Sequence, residues 1–342
     1  MMFRQPILDF HLTVVSTHPE RLRQIRCLLA DSGLELDNDV TLFVEAWSGS
    51  ELVGCAGLAA NVIKCVAVRE QLRGTNLSSR LLTEVENAAL ARGHFHLFLC
   101  SRPNNMTRFA RCGFWPIAQS GNNAVLLENT PQGITRYCQS LSALRKNGDR
   151  IGAIVMNANP FTLGHRHLVE QAVKQCDWLH IFVVQQDSSF FSFTARLNMV
   201  RAGVAHLPNV SVHEGSQYII SRATFPAYFL KDSVKVEQAW SEIDVLIFRN
   251  FIGPALGITH RFIGTEPFCD ITRQYNQTLH LLLASQIEVI EIQRLEANGK
   301  AISASEVRRL LKTDQFSRIQ EIVPQSTFSH LKLHCSSGKE TA

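Results

Sequence analysis

Thr162, Gly164 and His165 stand in the run NPFTLGHRHLVEQA, residues 159–172, where an apolar strand gives way to a helix. The residues before it, IGAIVMNANP, read as a buried strand. Those after it place Leu168, Val169, Ala172 and Val173 on one side of a helix. A helix start carries free N–H groups and a partial positive charge, so it attracts anions. With Thr162 and His165 three residues apart, both side chains can converge on one ligand. An imidazole N–H adds a donor for a phosphate oxygen, and such a donor helps most as charge grows there during substitution at phosphorus. Gly164 leaves room for a ligand to approach the backbone. The plainer alternative is a helix cap in which His165 is incidental.

A second stretch offers the same chemistry. ISASEVRRLL, residues 302–311, puts Ser303 and Ser305 at a helix start and Arg308 one turn in, with Ser305 expected as the N-cap. Hydroxyls, free amides and a guanidinium fork together make a cradle for a polyphosphate. Read alone, the stretch is equally a capped helix with a solvated basic face. Two anion-adapted helix starts in one domain favour the phosphate reading.

The elements that must hold these residues alternate. After residue 150, IGAIVMN, LHIFVVQ, VSVHEG, DVLIFRN, HRFIGTE and IEVIEIQ read as strands with helical patterns between several of them. That order predicts a parallel, doubly wound sheet with ligands at the C-terminal strand ends. Before the seam the pattern differs. ERLRQIRCLLADSG reads as a helix ending at Gly33, and TLFVEAWSGSELVGCAGLAA as a hairpin turning at Ser48, Gly49 and Ser50. VIKCVAV and HLFLC read as strands, and LSSRLLTEVENAALARG as a helix closed by Gly93. NNMTRFARCGFWPI reads as a short helix entering a final strand. The polar run LRKNGDR with its Asn-Gly turn marks the seam. The expected organisation is an N-terminal domain over 1–143, a linker at 144–150, a second domain over 151–335 and a tail at 336–342.

The chain has 342 residues, which suits two domains, and its 45% apolar and 19% charged content suits packed cores. A net charge of +4 with no dense Lys/Arg run gives no sign of a nucleic-acid partner. No apolar stretch spans a bilayer and the N-terminus lacks a signal-peptide core, so no membrane association and a cytoplasmic location are expected. Nine dispersed cysteines, with no CxxC pair, predict reduced, buried thiols and no metal site.

NPFTLGH with a later ISASEVR resembles the nucleotidylyltransferase superfamily, with its [HT]xGH and ISxSxxR-type motifs. TFPAYFLKD and RFIGTEPFCDITRQYN sharpen the resemblance to the citrate lyase ligase family. The resemblance implies a Rossmann-like, doubly wound nucleotidylyltransferase (HIGH-type) fold after a GNAT-like α+β domain. It implies an enzyme that uses ATP and acetate, through acetyl-AMP, to acetylate the thiol of the CoA-like group on the acyl carrier subunit of citrate lyase. It further implies that Thr162 and His165 hydrogen-bond the α-phosphate, that Asn159, Pro160, Phe161 and Gly164 line the ATP site, and that Ser303, Ser305 and Arg308 hold the leaving pyrophosphate. Gly264 and Glu266 would line the adenosine pocket, and Lys231 and Arg196 would contact phosphates. Mg²⁺ would arrive with ATP, held by phosphates and water.

In the first half, VIKCVAVREQLRGTNLSSRLL resembles the CoA-binding loop of GNAT acetyltransferases, at Gln71, Arg73, Gly74, Thr75 and Asn76. Asn76 departs from the small residue expected last in that loop. Phe109 stands where a tyrosine general acid often sits, and a phenyl ring donates no proton. The domain therefore binds the CoA-like arm, acts as an independent acetyltransferase, or supports the ligase half. Two rival functions are an adenylyltransferase of the pantetheine-phosphate type, which leaves AMP on its product, and a non-catalytic CoA or nucleotide sensor.

Overall fold

Apolar strands with helices between them build two separate sheets in this chain. A computed structural model describes residues 7–185, 189–220, 225, 228–230, 232–266, 269–297 and 299–337. They form two compact units: Met1–Ile134 with Phe225–Ile243, and Thr135–Thr224 with Asp244–Ala342. This differs from a single linker at 144–150. The segment Phe225–Ile243 groups with the first unit because its aromatic residues find their burial there. Tyr228 and Phe229 are buried, the Tyr228 carbonyl accepts the Glu35 N–H at 2.9 Å, and Ser120 Oγ donates to Glu242 at 2.6 Å.

The first unit holds β1 (Asp9–Val14), β2 (Leu42–Ser48), β3 (Glu51–Ala59), β4 (Val62–Val68), β5 (Phe98–Ser101), β6 (Trp115–Ser120) and β7 (Ala124–Glu128). Its sheet runs β1-β2-β3-β4-β5-β7-β6, with β4 and β5 the parallel pair. That pair is short. Val62 opposes Phe98 and Ile63 opposes Leu99, after which the strands separate. The helix Leu77–Leu90 packs Leu77, Leu81, Leu82 and Val85 onto the sheet, as the i, i+4 spacing predicts. Strands β1 and β7 are additional to those the sequence pattern predicts, and the strand expected to be last pairs with β7 as a hairpin.

The second unit holds β8 (Ile151–Met156), β9 (Trp178–Val183), β10 (Val210–Glu214), β11 (His260–Gly264) and β12 (Glu288–Ile292). All pair in parallel, in the order β10-β9-β8-β11-β12. The chain starts in the middle and winds outward both ways, so β8 and β11 flank the switch point where such sheets bind ligands. The expected strand DVLIFRN is helical. It ends the helix Ser233–Ile247 and enters the wider turn Phe248–Ile252. Ala239, Ile243 and Ile247 are buried at i, i+4 and i+8, a helical stripe that a short apolar run does not distinguish from a buried strand.

The eight cysteines whose side chains are described are free thiols; Cys27 and Cys269 are exposed, contrary to the expected burial. Among the described residues no helix is long and apolar enough to cross a membrane.

Candidate active site

Thr162 caps the helix Leu163–Val173. Its Oγ1 accepts the His165 backbone N–H at 3.4 Å, and its own N–H donates to His165 Nδ1 at 3.0 Å. This reciprocal capping box satisfies two donors at the helix start. It also fixes the imidazole. Because Nδ1 accepts, its lone pair is occupied and the proton lies on Nε2. Burial, and then the positive charge of Arg294, push this imidazole down from its ordinary value to about 4. His165 is therefore a neutral N–H donor at neutral pH. The helix forms as its spacing predicts, with Val169 and Ala172 buried and Leu168 and Val173 packed beside them. The capping role uses Nδ1, so it leaves the Nε2 N–H of His165 able to donate.

The helix Ala304–Leu311 is capped by Ser303, whose side chain accepts the Glu306 N–H at 3.2 Å. Ser305, the expected cap, lies inside the first turn, where its Oγ accepts from Arg308 Nη2 at 3.0 Å. Arg308 Nη1 donates to the Asn159 carbonyl at 2.5 Å. Arg308 thus ties the two motifs together. A Cβ at Gly164 would lie 3.2 Å from the Ile302 carbonyl, so this glycine serves the close approach of the second motif. Arg309, next along, pairs with Glu306 at 2.7 Å and forms the solvated basic face.

These motifs share one cavity of about 500 Å³ at the C-terminal ends of β8 and β11. Asn159, Thr162, Gly164, His165, Gly264, Glu266, Ser303, Ser305 and Arg308 all line it. The remaining expected residues are placed elsewhere. Phe161 is fully buried in the core, its ring stacked near His165 with centroids 5.7 Å apart. Pro160 is absent from the cavity wall among the described residues. Arg196 is fully buried and donates to the carbonyls of Asn157, Val184 and Phe191 and to Asn157 Oδ1. It holds the end of β8 in place and does not line the cavity. Lys231 lies outside the described residues. Glu266 is paired with Arg294 and accepts the Cys269 N–H at 3.1 Å.

Sequence reasoning missed Arg261, Tyr275, Asn276 and Arg294 on the cavity wall. An arginine inside the apolar strand HRFIG was a readable signal for the first; the others are brought in by loop and helix packing.

In the first unit, a cavity of about 250 Å³ lies beside the separation of β4 and β5. Arg73, Ser78, Arg102, Asn105 and Arg108 are on its wall together with buried Phe109. Gly74 has a φ of +85° and nothing within 4 Å of a built Cβ, so its backbone is open. Thr75 Oγ1 donates to the Leu72 carbonyl at 2.7 Å and accepts the Leu77 N–H, and Asn76 heads the helix without a side-chain cap. Gln71 belongs to the single turn Glu70–Leu72. Among Gln71, Arg73, Gly74, Thr75 and Asn76, Arg73 is the one on the wall. The Tyr228 hydroxyl donates to the Cys100 carbonyl of β5 at 2.8 Å.

Comparison with known proteins agrees with both halves. Residues 151–331 match the citrate lyase ligase C-terminal domain, and residues 8–114 match the acetyltransferase (GNAT) family. A citrate (pro-3S)-lyase ligase of Klebsiella pneumoniae is 47% identical over 94% of this chain and 96% of its own length. Proteins of the same name from Escherichia coli K12 and Haemophilus influenzae are 43% and 45% identical. They cover 95% and 93% of this chain and 94% and 97% of their own lengths. On the domain match and these full-length relatives, the chain belongs to the citrate lyase ligase family.

Proposed function

We propose that this enzyme is an acid–thiol ligase that joins acetate to the thiol of the CoA-like group on the acyl carrier subunit of citrate lyase, converting ATP to AMP and diphosphate. The observation that carries this reading is one cavity at the switch point holding a neutral His165 N–H, a helix N-terminus and Arg308. An acetate oxygen attacks the α-phosphorus and forms the new P–O bond as the bond to pyrophosphate breaks. The His165 Nε2–H donates to an α-phosphate oxygen as it gains charge, without giving up its proton. The first-turn amides of the helix Ala304–Leu311 and Arg308 receive the departing pyrophosphate. In the second half-reaction the carrier sulfur attacks the acetyl carbon, AMP leaves, and the thiol proton passes to solvent. Mg²⁺ comes as part of the ATP complex. Glu266, the acidic residue on the described wall, is committed to Arg294, which favours a metal held by phosphates and water.

Arg308→Ala tests the division of labour. It should raise the ATP KM and slow acetate-dependent exchange of pyrophosphate into ATP, while thiolysis of supplied acetyl-AMP stays near wild type. An equal loss in both half-reactions would remove Arg308 from the pyrophosphate site.

For the first unit we propose a binding role toward the CoA-like arm. Its cavity is basic and Gly74 presents open backbone. Phe109 supplies no proton, and the Tyr228 hydroxyl proton is already given to the Cys100 carbonyl. Gly74→Trp should leave acetyl-AMP formation intact and raise the apparent KM for the carrier. Gly74→Ala carries the same left-handed strain without the bulk, so a matching defect there would mean strain and not blocked approach.

A further inference from the structure

The cavity wall holds a buried cation that belongs to neither of the two motifs. Arg261 lies on β11 and is 3% exposed, yet it lines the same cavity as His165 and Arg308. Its guanidinium rests over the Phe248 ring, 4.4 Å from the centroid. One part of it reaches the Tyr275 hydroxyl, whose own proton goes to Asp244 Oδ2 at 2.6 Å. The other Asp244 oxygen accepts the Ile220 N–H at 2.9 Å. This leaves Nε and Nη1 of Arg261 buried without a hydrogen-bond partner. Unsatisfied buried donors on a charged group are expensive, so the pair calls for an acceptor that the protein itself does not supply.

We propose that Arg261 binds the carboxylate of the acetate substrate. ATP phosphates already have His165, Arg308 and a helix N-terminus, none of them on β11. Beside Tyr275 and Asp244, the neighbours of Arg261 include the apolar Phe248 ring, and Ile263 lines the same cavity. A small monocarboxylate fits both features: its charge meets the guanidinium and its methyl group meets the apolar wall. Held by one oxygen, acetate presents the other to the α-phosphorus. A guanidinium stacked on a ring is the group for this task, because it is always charged and less hydrated than an ammonium.

The proposal rests on this cavity being the acetate-activating site, and the test separates the two ideas. Acetate-dependent exchange of pyrophosphate into ATP is measured for wild type, Arg261→Met and Arg261→Lys. In Arg261→Met the acetate KM should rise at least about thirtyfold while the ATP KM stays within about threefold, the loss expected when one partner of a buried charge pair is removed. If the methionine variant does not fold, Arg261→Lys keeps a buried cation and should raise the acetate KM by about tenfold. In the wild-type protein alone, acetate should raise the melting temperature and acetamide, its neutral isostere, should not. An acetate KM unchanged in the folded variants, acetate and ATP KM values rising together, or equal stabilisation by acetamide overturns the role of Arg261. If ATP itself fails to stabilise the wild-type protein, the assignment of the cavity fails first.

Discussion

His165→Ala should slow acetyl-AMP formation by about two to three orders of magnitude, the loss seen when one aimed transition-state donor is removed. The structure adds a second effect. The same ring caps its helix through Nδ1, so alanine also leaves the Thr162 N–H without its acceptor, at about 0.5–2 kcal/mol. His165→Gln separates the two roles. Glutamine is a natural partner at that position of a capping box, so it should restore stability without restoring the rate. The pH dependence has a definite sign. The folded imidazole stays neutral down to about 4, whereas the unfolded one protonates near 6.5. Stability contributed by this group is therefore complete above about 6.5, declines as pH falls toward 4, and declines no further below it. The rate of adenylation should show no step near 6.5 from this residue. A His165→Gln variant that folds and turns over within a few-fold of wild type would remove His165 from the mechanism.

The second large effect is on stability. Arg196→Met should lower the unfolding free energy by about 3 kcal/mol or more, because it strips the donors from several buried carbonyls at once. Urea unfolding measures this directly. A phosphate-binding Arg196 predicts the opposite division: near-normal stability with a raised ATP KM. The bonds from Arg196 to Asn157 and Val184 place it behind the β8 end, so the stability loss should dominate, with any kinetic defect following from a displaced Asn157.

The parts of this protein legible in the sequence are those specified locally. Thr162 and His165 are three residues apart on one helix start, so their capping box follows from spacing, and Leu168, Val169 and Ala172 announce the buried face of that helix. Strand–helix alternation was enough to predict a parallel sheet with the site at its C-terminal ends. What was not legible depends on contacts distant in sequence. DVLIFRN carries the apolar content of a strand, and its helical state follows from the residues preceding it. Ser303 and Ser305 are both good caps; in the structure Ser303 caps the helix while Ser305 accepts from Arg308. An arginine near such a site reads as a phosphate ligand because it is common there; only packing shows that Arg196 Nε and Nη1 are engaged by backbone carbonyls. Tyr228 and Phe229 lie in the second half of the chain yet bury themselves in the first unit, and no local pattern encodes that partner.

One cavity should activate acetate as an adenylate, and the chain should then deliver the acetyl group to a thiol. The most direct measurement incubates the full chain with Mg-ATP, acetate and the thiol-form carrier subunit of citrate lyase, following nucleotides by chromatography and the carrier by mass spectrometry. The account predicts AMP and pyrophosphate in equal amounts, strictly dependent on acetate, with the carrier gaining one acetyl group per AMP formed. Release of ADP and phosphate, or a carrier that retains AMP in place of acetyl, would contradict it.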